Sequence, residues 1–81
     1  MVTSEQIKMA RAALSWSVNK LAENCEVGVR TINRIEAQTG LPSATQANLK
    51  LIRTTLEAAG IEFIGDPTEG PGVRLWNTPQ P

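Results

Sequence analysis

The sequence predicts a small, mainly α-helical α+β domain in which four helices precede a C-terminal β-hairpin. Apolar residues recur every three or four positions as far as Gly60, which is the spacing of amphipathic helices. From Ile61 to Trp76 they instead alternate with other residues on either side of a Gly/Pro-rich stretch, as in a hairpin. A chain of 81 residues forms one domain, which buries only about 60% of the surface that the unfolded chain exposes.

This change of pattern divides the chain into three segments. Residues 1–60 are predicted to form the helical unit, and residues 61–76 a hairpin extension packed on the helices. Residues 77–81 are too polar and proline-rich for either, so we predict a flexible tail there.

Helix 1 begins with a capping signal. Thr3 is a good N-cap, and Gln6 stands three residues later, where it completes a capping box. Val2 and Ile7 occupy the positions of a hydrophobic staple around this cap. The helix is predicted to run to about Leu14.

Two short helices follow, joined by a tight turn at Cys25–Val27. Ser17 is predicted to cap helix 2, from Val18 to Asn24, and Gly28 to cap helix 3, from Val29 to about Ala37. The residues predicted to face inward are Leu21, Ala22 and Cys25 on helix 2, and Ile32 and Ile35 on helix 3. The opposite side of helix 3 carries, at helical spacing, Arg30, Asn33, Arg34 and Ala37.

Helix 4 is predicted to be the longest. After a loop that contains Gly40 and Pro42, it starts at Ser43 or Thr45 and stops at Gly60. The residues at core spacing are Leu49, Ile52, Leu56 and Ala59. Leu51 and Ala58 widen the apolar face, which predicts a well-covered helix.

The hairpin is predicted to pair residues 61–64 with residues 73–76 around a loop at residues 65–72. The favoured register pairs Ile61 with Leu75, Glu62 with Arg74, and Phe63 with Val73. The four apolar members then face the helices, and Glu62 forms an ion pair with Arg74. Ile64 and Trp76 fall on the outer face.

The residue types favour binding over catalysis. The chain has no histidine, no Gly-rich phosphate loop and no convincing carboxylate pair, so we predict no enzyme, no cofactor and no metal site. Its one cysteine, Cys25, lies in an apolar helical pattern and is expected to be a buried structural thiol. An enzyme would require that thiol to be exposed and reactive. The chain shows no secretory leader pattern and no apolar stretch long enough to span a membrane, which predicts a soluble, cytoplasmic protein without a membrane partner.

Charge is distributed unevenly although the formal net charge is zero. Residues 1–53 hold seven Lys and Arg against four Asp and Glu, and residues 54–81 hold one against four. Affinity for nucleic acid comes largely from cations that meet phosphates, and the basic half is the half that carries helices 2 and 3. The cations predicted to be ordinary surface residues are Lys8, Arg11, Lys20, Lys50 and Arg53.

Helices 2 and 3 carry the residue pattern of a helix-turn-helix. Two such helices cross steeply and almost touch, which requires a small residue on the first, an apolar residue in the turn and apolar residues inside the second. Ala22, Val27, Ile32 and Ile35 fill these places. The spacing is five residues from Ala22 to Val27 and five more to Ile32, and this assembly is more specific than any of its members.

On these residues, positions 5–60 resemble the DNA-binding domains of lambda-repressor-like, Xre-type bacterial and phage transcriptional regulators. The resembling stretches are Trp16–Ser17, Leu21–Glu23, Val27 and Thr31–Glu36, with a following Gly and Pro. The resemblance implies a four-helix helix-turn-helix domain that regulates transcription. It also implies sequence-specific binding to double-stranded DNA, usually as a homodimer, with helix 3 in the major groove.

The resemblance implies two sets of DNA contacts. The base-reading positions are Gly28, Val29, Arg30, Asn33 and Arg34. The phosphate-contacting positions are Ser17, Val18, Asn19, Gln38, Thr39 and Ser43. These residue types suit the task, because an Arg fork matches the O6/N7 edge of guanine, Asn matches adenine, and a helix N-terminus offers amides to a phosphate.

Three residues depart from the family pattern. Many members have Gly at the position of Glu26, where the turn needs a left-handed backbone that costs a non-glycine residue about 1–2 kcal/mol. Many also have Gln at the positions of Val18 and Val29. The two valines are expected to touch each other, and Val29 is expected to meet a thymine methyl group.

Two functions stay open at this point. The first is a DNA-binding regulator that dimerises through the hairpin, with Ile64 and Trp76 as candidate contacts, because an isolated hairpin leaves its outer face and edges open. The second is a protein–protein interaction module, antitoxin-like or partner-binding, with weak or no DNA binding. The zero net charge and the residues Glu26, Val18 and Val29 support the second.

Overall fold

The computed structural model describes residues 1–76 as four α-helices followed by a two-stranded antiparallel sheet. The helices are α1 (Ser4–Ala13), α2 (Val18–Cys25), α3 (Val29–Glu36) and α4 (Gln46–Ala58), and the strands are β1 (Ile61–Asp66) and β2 (Glu69–Leu75). The α+β class, with four helices and then a hairpin, is therefore confirmed. The tail predicted at residues 77–81 lies outside the described residues. No helix within residues 1–76 combines the length and the apolar character needed to cross a membrane.

The predicted capping box starts α1 and also fixes the hairpin to the helices. Thr3 Oγ1 accepts a hydrogen bond from the Gln6 amide at 3.1 Å, and Gln6 Oε1 accepts one from the Thr3 amide at 2.9 Å. Gln6 Nε2 then donates to the carbonyl oxygens of Ile64 and Gly72, at 3.0 and 2.9 Å. Gln6 is only 1% exposed, so each polar atom of its buried amide has a partner, as burial requires.

The core draws residues from all four helices, the turn after α2 and β1. Its buried apolar members are Ile7, Ala10, Leu21, Cys25, Val27, Ile32, Ile35, Ile52, Leu56 and Ile61. Leu14 and Ala22 are partly buried and pack against this cluster. The inward faces predicted for helices 2 and 3 are therefore confirmed.

More of α4 is exposed to solvent than the sequence predicts. Thr45 caps the helix, because its Oγ1 accepts a hydrogen bond from the Asn48 amide at 3.1 Å, and Ser43 remains in the loop. Leu56 is buried, but Leu51 is 44% exposed and Ala58 is exposed as well. The prediction of a well-covered helix was wrong, because α4 packs on the rest of the protein along one stripe and these two residues lie beside it.

The hairpin has the predicted register but a tighter turn. Ile61, Glu62 and Phe63 pair with Leu75, Arg74 and Val73. The loop predicted at residues 65–72 was too long, because Asp66 Oδ1 accepts three hydrogen bonds, from the amides of Thr68 and Glu69 and the Thr68 hydroxyl, and closes the chain early. The strands therefore extend through most of that stretch, with an irregularity between Ile64 and Asp66.

One of the four apolar strand residues predicted to face the helices is not covered by them. Ile61 is buried, and Phe63 and Val73 pack against the core, but Leu75 is 47% exposed. Leu75 lies beside Gly60, whose missing Cβ would be only 3.7 Å from Leu75 Cδ1. The end of β2 therefore extends past the part of the hairpin that the helices cover.

Candidate functional site

The N-caps and the left-handed turn predicted for α2 and α3 are present. Ser17 caps α2, and its Oγ accepts a hydrogen bond from the Lys20 amide at 3.0 Å. The helix extends one residue further than predicted, to Cys25, and Glu26 then turns the chain with φ 60° and ψ 29°. This confirms the left-handed backbone expected at Glu26, whose side chain is exposed.

The two sides of α3 differ sharply in burial. Ile32 and Ile35 are 0% exposed and fix the helix against the core. Arg30, Asn33 and Arg34 are exposed on the opposite side, as the helical spacing predicts. Gly28 and Val29, the other two positions predicted to read bases, are also exposed, and Val29 is 39% exposed despite being apolar. All five predicted base-reading residues are therefore exposed, and we refer to them together as the α3 outer surface: Gly28, Val29, Arg30, Asn33 and Arg34.

An ion pair that was not predicted holds α3 against α1. Arg11 was predicted to be a surface cation, and that prediction was wrong. Its Nε and Nη2 donate to the two carboxylate oxygens of Glu36, at 2.8 and 2.7 Å, and its Nη1 donates to the Trp16 carbonyl at 3.0 Å. The hydrogen bond to Glu36 raises the pKa of Arg11. Arg11 thus connects α1, α3 and the chain between α1 and α2.

A signal for this ion pair exists in the sequence. Glu36 stands four residues after Ile32 and directly after Ile35, so helical spacing puts it on the inward side of α3. In the structure Glu36 is only 8% exposed. A charged group that is buried to this extent requires a partner of opposite charge. The sequence therefore indicates that some cation must approach Glu36, although it does not identify Arg11.

The loop after α3 is closed by residues that were predicted to contact phosphate. Gln38 Oε1 accepts a hydrogen bond from the Ser43 amide at 2.7 Å, and Gln38 Nε2 donates to the Arg34 carbonyl at 3.2 Å. Arg34 Nη1 donates to the Ser43 carbonyl at 3.1 Å. Gln38 therefore holds the loop in shape, while Thr39 and the side chain of Ser43 remain exposed.

The same loop is anchored to the beginning of α1. The Ser4 amide donates to the Gly40 carbonyl at 2.8 Å, and the Gly40 amide donates to Glu5 Oε1 at 3.0 Å. Backbone hydrogen bonds from its own amide and from Gly40 hold the pKa of Glu5 below its ordinary value. Gly40 has φ 73°, a conformation that other residues rarely adopt. The loop is thus fixed at both ends, to α3 and to α1.

The start of α2 presents the remaining predicted phosphate positions. Ser17 and Asn19 are exposed, whereas Val18 is half-buried and packs against the core. The first amides of a helix have no partner within it, so Val18 and Asn19 can offer their N–H groups to a ligand. Val18 can contribute through its backbone even though its side chain is turned inward.

The outer face of the hairpin carries a small polar cluster. Glu62 Oε1 accepts hydrogen bonds from Arg74 Nη1 at 3.2 Å and from Trp76 Nε1 at 2.9 Å, which confirms the predicted cross-strand ion pair. The guanidinium of Arg74 lies 5.7 Å from the centroid of the Trp76 ring. Trp76 is 39% exposed, and Ile64, the other predicted dimer contact, is half-buried.

Cys25 lies in the core rather than at the surface. It is 2% exposed, and burial raises the pKa of its thiol. Its environment therefore disfavours the thiolate, which is the nucleophilic form.

No protein-family model, curated protein or solved structure matches this chain.

Proposed function

We propose that this protein is a sequence-specific DNA-binding regulator of transcription, with α2 and α3 as a lambda-repressor-like helix-turn-helix and α3 in the major groove. The observation that carries the proposal is the contrast across α3. Arg30, Asn33 and Arg34 are exposed together on a helix whose other side is anchored by the fully buried Ile32 and Ile35. A rigidly held helix with exposed hydrogen-bonding side chains is what base recognition needs.

The chemistry of the α3 outer surface fits base edges. Arg30 and Arg34 are one helical turn apart, so both guanidinium groups can reach the same groove. Each can bind guanine O6 and N7 in a bidentate manner, and Asn33 can bind adenine in the same way, with about 1–3 kcal/mol of discrimination for each good pair. Val29 offers an apolar surface to a thymine methyl group. Arg34 Nη1 donates to the Ser43 carbonyl, and the other N–H groups of its guanidinium remain for a base or a phosphate.

Phosphate contacts would position the helix in the groove. The free amides at the start of α2 and the Ser17 hydroxyl are suited to one phosphate. Thr39 and the Ser43 hydroxyl, in the loop after α3, are suited to another. The two sets of groups would contact the DNA backbone at separate points, before and after α3 in the chain. They fix register and carry no sequence information themselves.

A homodimer is part of this proposal. A single copy has no net charge and offers few cations near α3, so two copies on one duplex would double the contacts. In such dimers the two recognition helices lie about 34 Å apart and bind half-sites one turn apart. The outer face of the hairpin, with Ile64 and Trp76, is the candidate interface. Light scattering at micromolar concentration tests this, and a monomer mass with and without DNA would contradict it.

A protein-interaction module is the second candidate. One observation favours it: Gly28, the N-cap of α3, and Val29, its first residue, are both exposed, so part of the α3 outer surface is apolar. Apolar residues are more typical of a protein contact than of a phosphate contact. On that function, substitution of Arg30 and Arg34 would leave partner binding largely intact.

Selection from random DNA duplexes with the purified protein tests the DNA proposal. We expect enrichment of a palindromic site whose half-sites contain guanine. The Arg30→Gln variant should lose the preference at one base pair of each half-site, whereas the Arg53→Gln variant, altered on α4, should return the original site. Failure of the unmodified protein to enrich any sequence would contradict the proposal.

A further inference from the structure

An apolar groove lies where the first residues of the chain, the loop before α4 and α4 itself meet. Its volume is about 420 Å³. The buried Ile7 and Ile52 and the half-buried Val2 and Leu49 line it with aliphatic carbon. Sites for small organic molecules are typically clefts of roughly 300–1,000 Å³ with apolar walls, so the groove has the size and lining of such a site.

The charged residues of this groove are all cations. Lys50 and Arg53 line it, and no lining residue among those described is acidic. Arg53 is already bound to Glu57, with Nε 3.1 Å from Oε2. Lys50 forms no ion pair within residues 1–76. An anionic group bound at the groove would therefore find Lys50 available.

The other lining residues narrow the class of ligand. No aromatic ring lines the groove in the described part of the chain, so it offers nothing for a flat ring to stack on. Gln46 is the only uncharged lining side chain there that can form hydrogen bonds, so a ligand with many polar groups would leave most of them without partners. A ligand with an alkyl chain and one negative charge fits this lining, because the chain can lie on the aliphatic residues and the charge can meet Lys50.

We propose that this groove binds a small aliphatic carboxylate, with its alkyl chain on the apolar floor and its carboxylate at Lys50. The bound ligand also affects Arg34 of α3, through the loop that joins α3 to α4. Leu41 and Ala44 line the groove on either side of Ser43, and the Ser43 carbonyl accepts the hydrogen bond from Arg34. Occupancy therefore alters the chain that holds Arg34 and changes DNA affinity. This second step rests on the proposed function, whereas binding of the carboxylate does not.

Titration with octanoate, followed by NMR of the ¹⁵N-labelled protein, tests the binding step. We expect saturable shifts of the Leu41, Leu49 and Ile52 amides, with a dissociation constant on the order of 1 mM for a ligand of this size. Octanamide, which has the same shape but no charge, should bind about fivefold more weakly, because an exposed charge pair contributes up to about that factor. Equal affinity for the two probes, or no saturable shift, would overturn the proposal.

Two variants separate the contributions of charge and shape. Lys50→Gln should weaken octanoate about fivefold and leave octanamide unchanged, while Lys8→Gln, at an exposed lysine outside the groove, should change neither. Leu41→Asp adds a carboxylate at an exposed lining position and should abolish octanoate binding without unfolding the protein, which the same spectra verify. Groove shifts that instead follow protein concentration without any probe would show that a second copy covers the groove, and would overturn the proposal.

The coupling step has its own measurement. Saturating octanoate should change the affinity of the unmodified protein for its selected duplex. It should leave the duplex affinity of the Leu41→Asp variant unchanged, because that variant does not bind octanoate. If octanoate binds and DNA affinity stays constant, the regulatory step is wrong and the carboxylate site stands. If no duplex is ever selected, the proposed function fails, and the NMR titration still decides the site.

Discussion

The side chains on the inner side of α3 are buried or hydrogen-bonded within the protein, whereas those on its outer side make few such contacts. On the inner side, Ile32 and Ile35 are fully buried, and both carboxylate oxygens of Glu36 accept hydrogen bonds from Arg11. On the outer side, the side chains of Arg30 and Asn33 form no hydrogen bond with any described residue, and that of Arg34 forms one at 3.1 Å. The inner side positions the helix, and the outer side is left available for a ligand. Folding and binding should therefore respond to different substitutions.

A substitution on the inner side of α3 should change stability the most. Ile32→Ala should lower the free energy of unfolding by about 3 kcal/mol, because it leaves a cavity at a fully buried site. Urea denaturation measures the change. The matched variant on the outer side, Val29→Ala, should change stability by less than about 0.5 kcal/mol. Equal losses for the two variants would remove the distinction between the sides.

The ion pair of the inner side should give the next largest effect. Arg11→Ala leaves the Glu36 carboxylate buried without its partner and should cost about 2 kcal/mol, a value reduced because the Arg11 side chain is 23% exposed. Arg53→Ala breaks an ion pair that is exposed at both ends and a contact with the Phe63 ring, and should cost less than about 1 kcal/mol. Thermal unfolding of the two variants compares them directly, and a similar loss in both would show that burial of Glu36 is unimportant.

The turn between α2 and α3 should give a smaller effect of opposite sign. Glu26→Gly should raise the free energy of unfolding by about 0.5–1 kcal/mol, because glycine relieves the left-handed strain at φ 60° but gains entropy in the unfolded chain. Glu23→Gly, at an exposed helical position of α2, should instead lower it by about 1 kcal/mol. If both variants lose stability equally in urea denaturation, the turn is not strained.

A still smaller change in stability should come from pH, through two carboxylates that lie outside α3. The carboxylates of Glu5 and Asp66 accept backbone hydrogen bonds, from amides that include those of Gly40 and of Thr68, and these bonds lower both pKa values. The pKa of each group is lower in the folded state than in the unfolded state. Each carboxylate therefore stabilises the protein at pH values above its unfolded-state pKa, and this contribution is lost as the pH falls through its folded-state pKa. Stability should therefore decline below about pH 4.5, and less steeply in the Glu5→Gln, Asp66→Asn double variant.

The control for this pH series is Glu23→Gln. This variant removes an exposed carboxylate that makes no hydrogen bond with the described residues. Unfolding free energies measured by urea titration between pH 3 and pH 7 give the comparison. An acid-induced loss as steep in the double variant as in the control would contradict the assigned hydrogen bonds.

Local patterns in the sequence predicted most of the secondary structure. The Thr3–Gln6 capping box, the Ser17 cap and the strand register all depend on residues close together in the chain or on simple alternation. Helical spacing likewise placed Arg30 and Arg34 on the exposed side of α3. Such features need no knowledge of which elements meet in the folded protein.

Contacts between distant segments were not predictable in the same way. Gln6 reaches carbonyl groups of both strands, and Arg11 reaches Glu36, across 25 residues or more. Each pairing depends on how the helices and the hairpin pack together. The exposure of Leu51 has the same origin, because an apolar position is buried only if another element lies over it. In the candidate site, the hydrogen bond between Arg34 and Ser43 depends on the loop path.

Folding and DNA binding can be measured in one double variant, Arg30→Ala with Arg34→Ala. Its unfolding free energy should stay within about 0.5 kcal/mol of the unmodified protein, because both side chains are exposed. Its affinity for the selected duplex should fall at least about 100-fold, with a shallower dependence on salt. Lys8→Ala with Arg53→Ala removes the same charge elsewhere and should retain most of the affinity. Duplex affinity within about threefold of the unmodified protein in the Arg30, Arg34 variant would contradict the account.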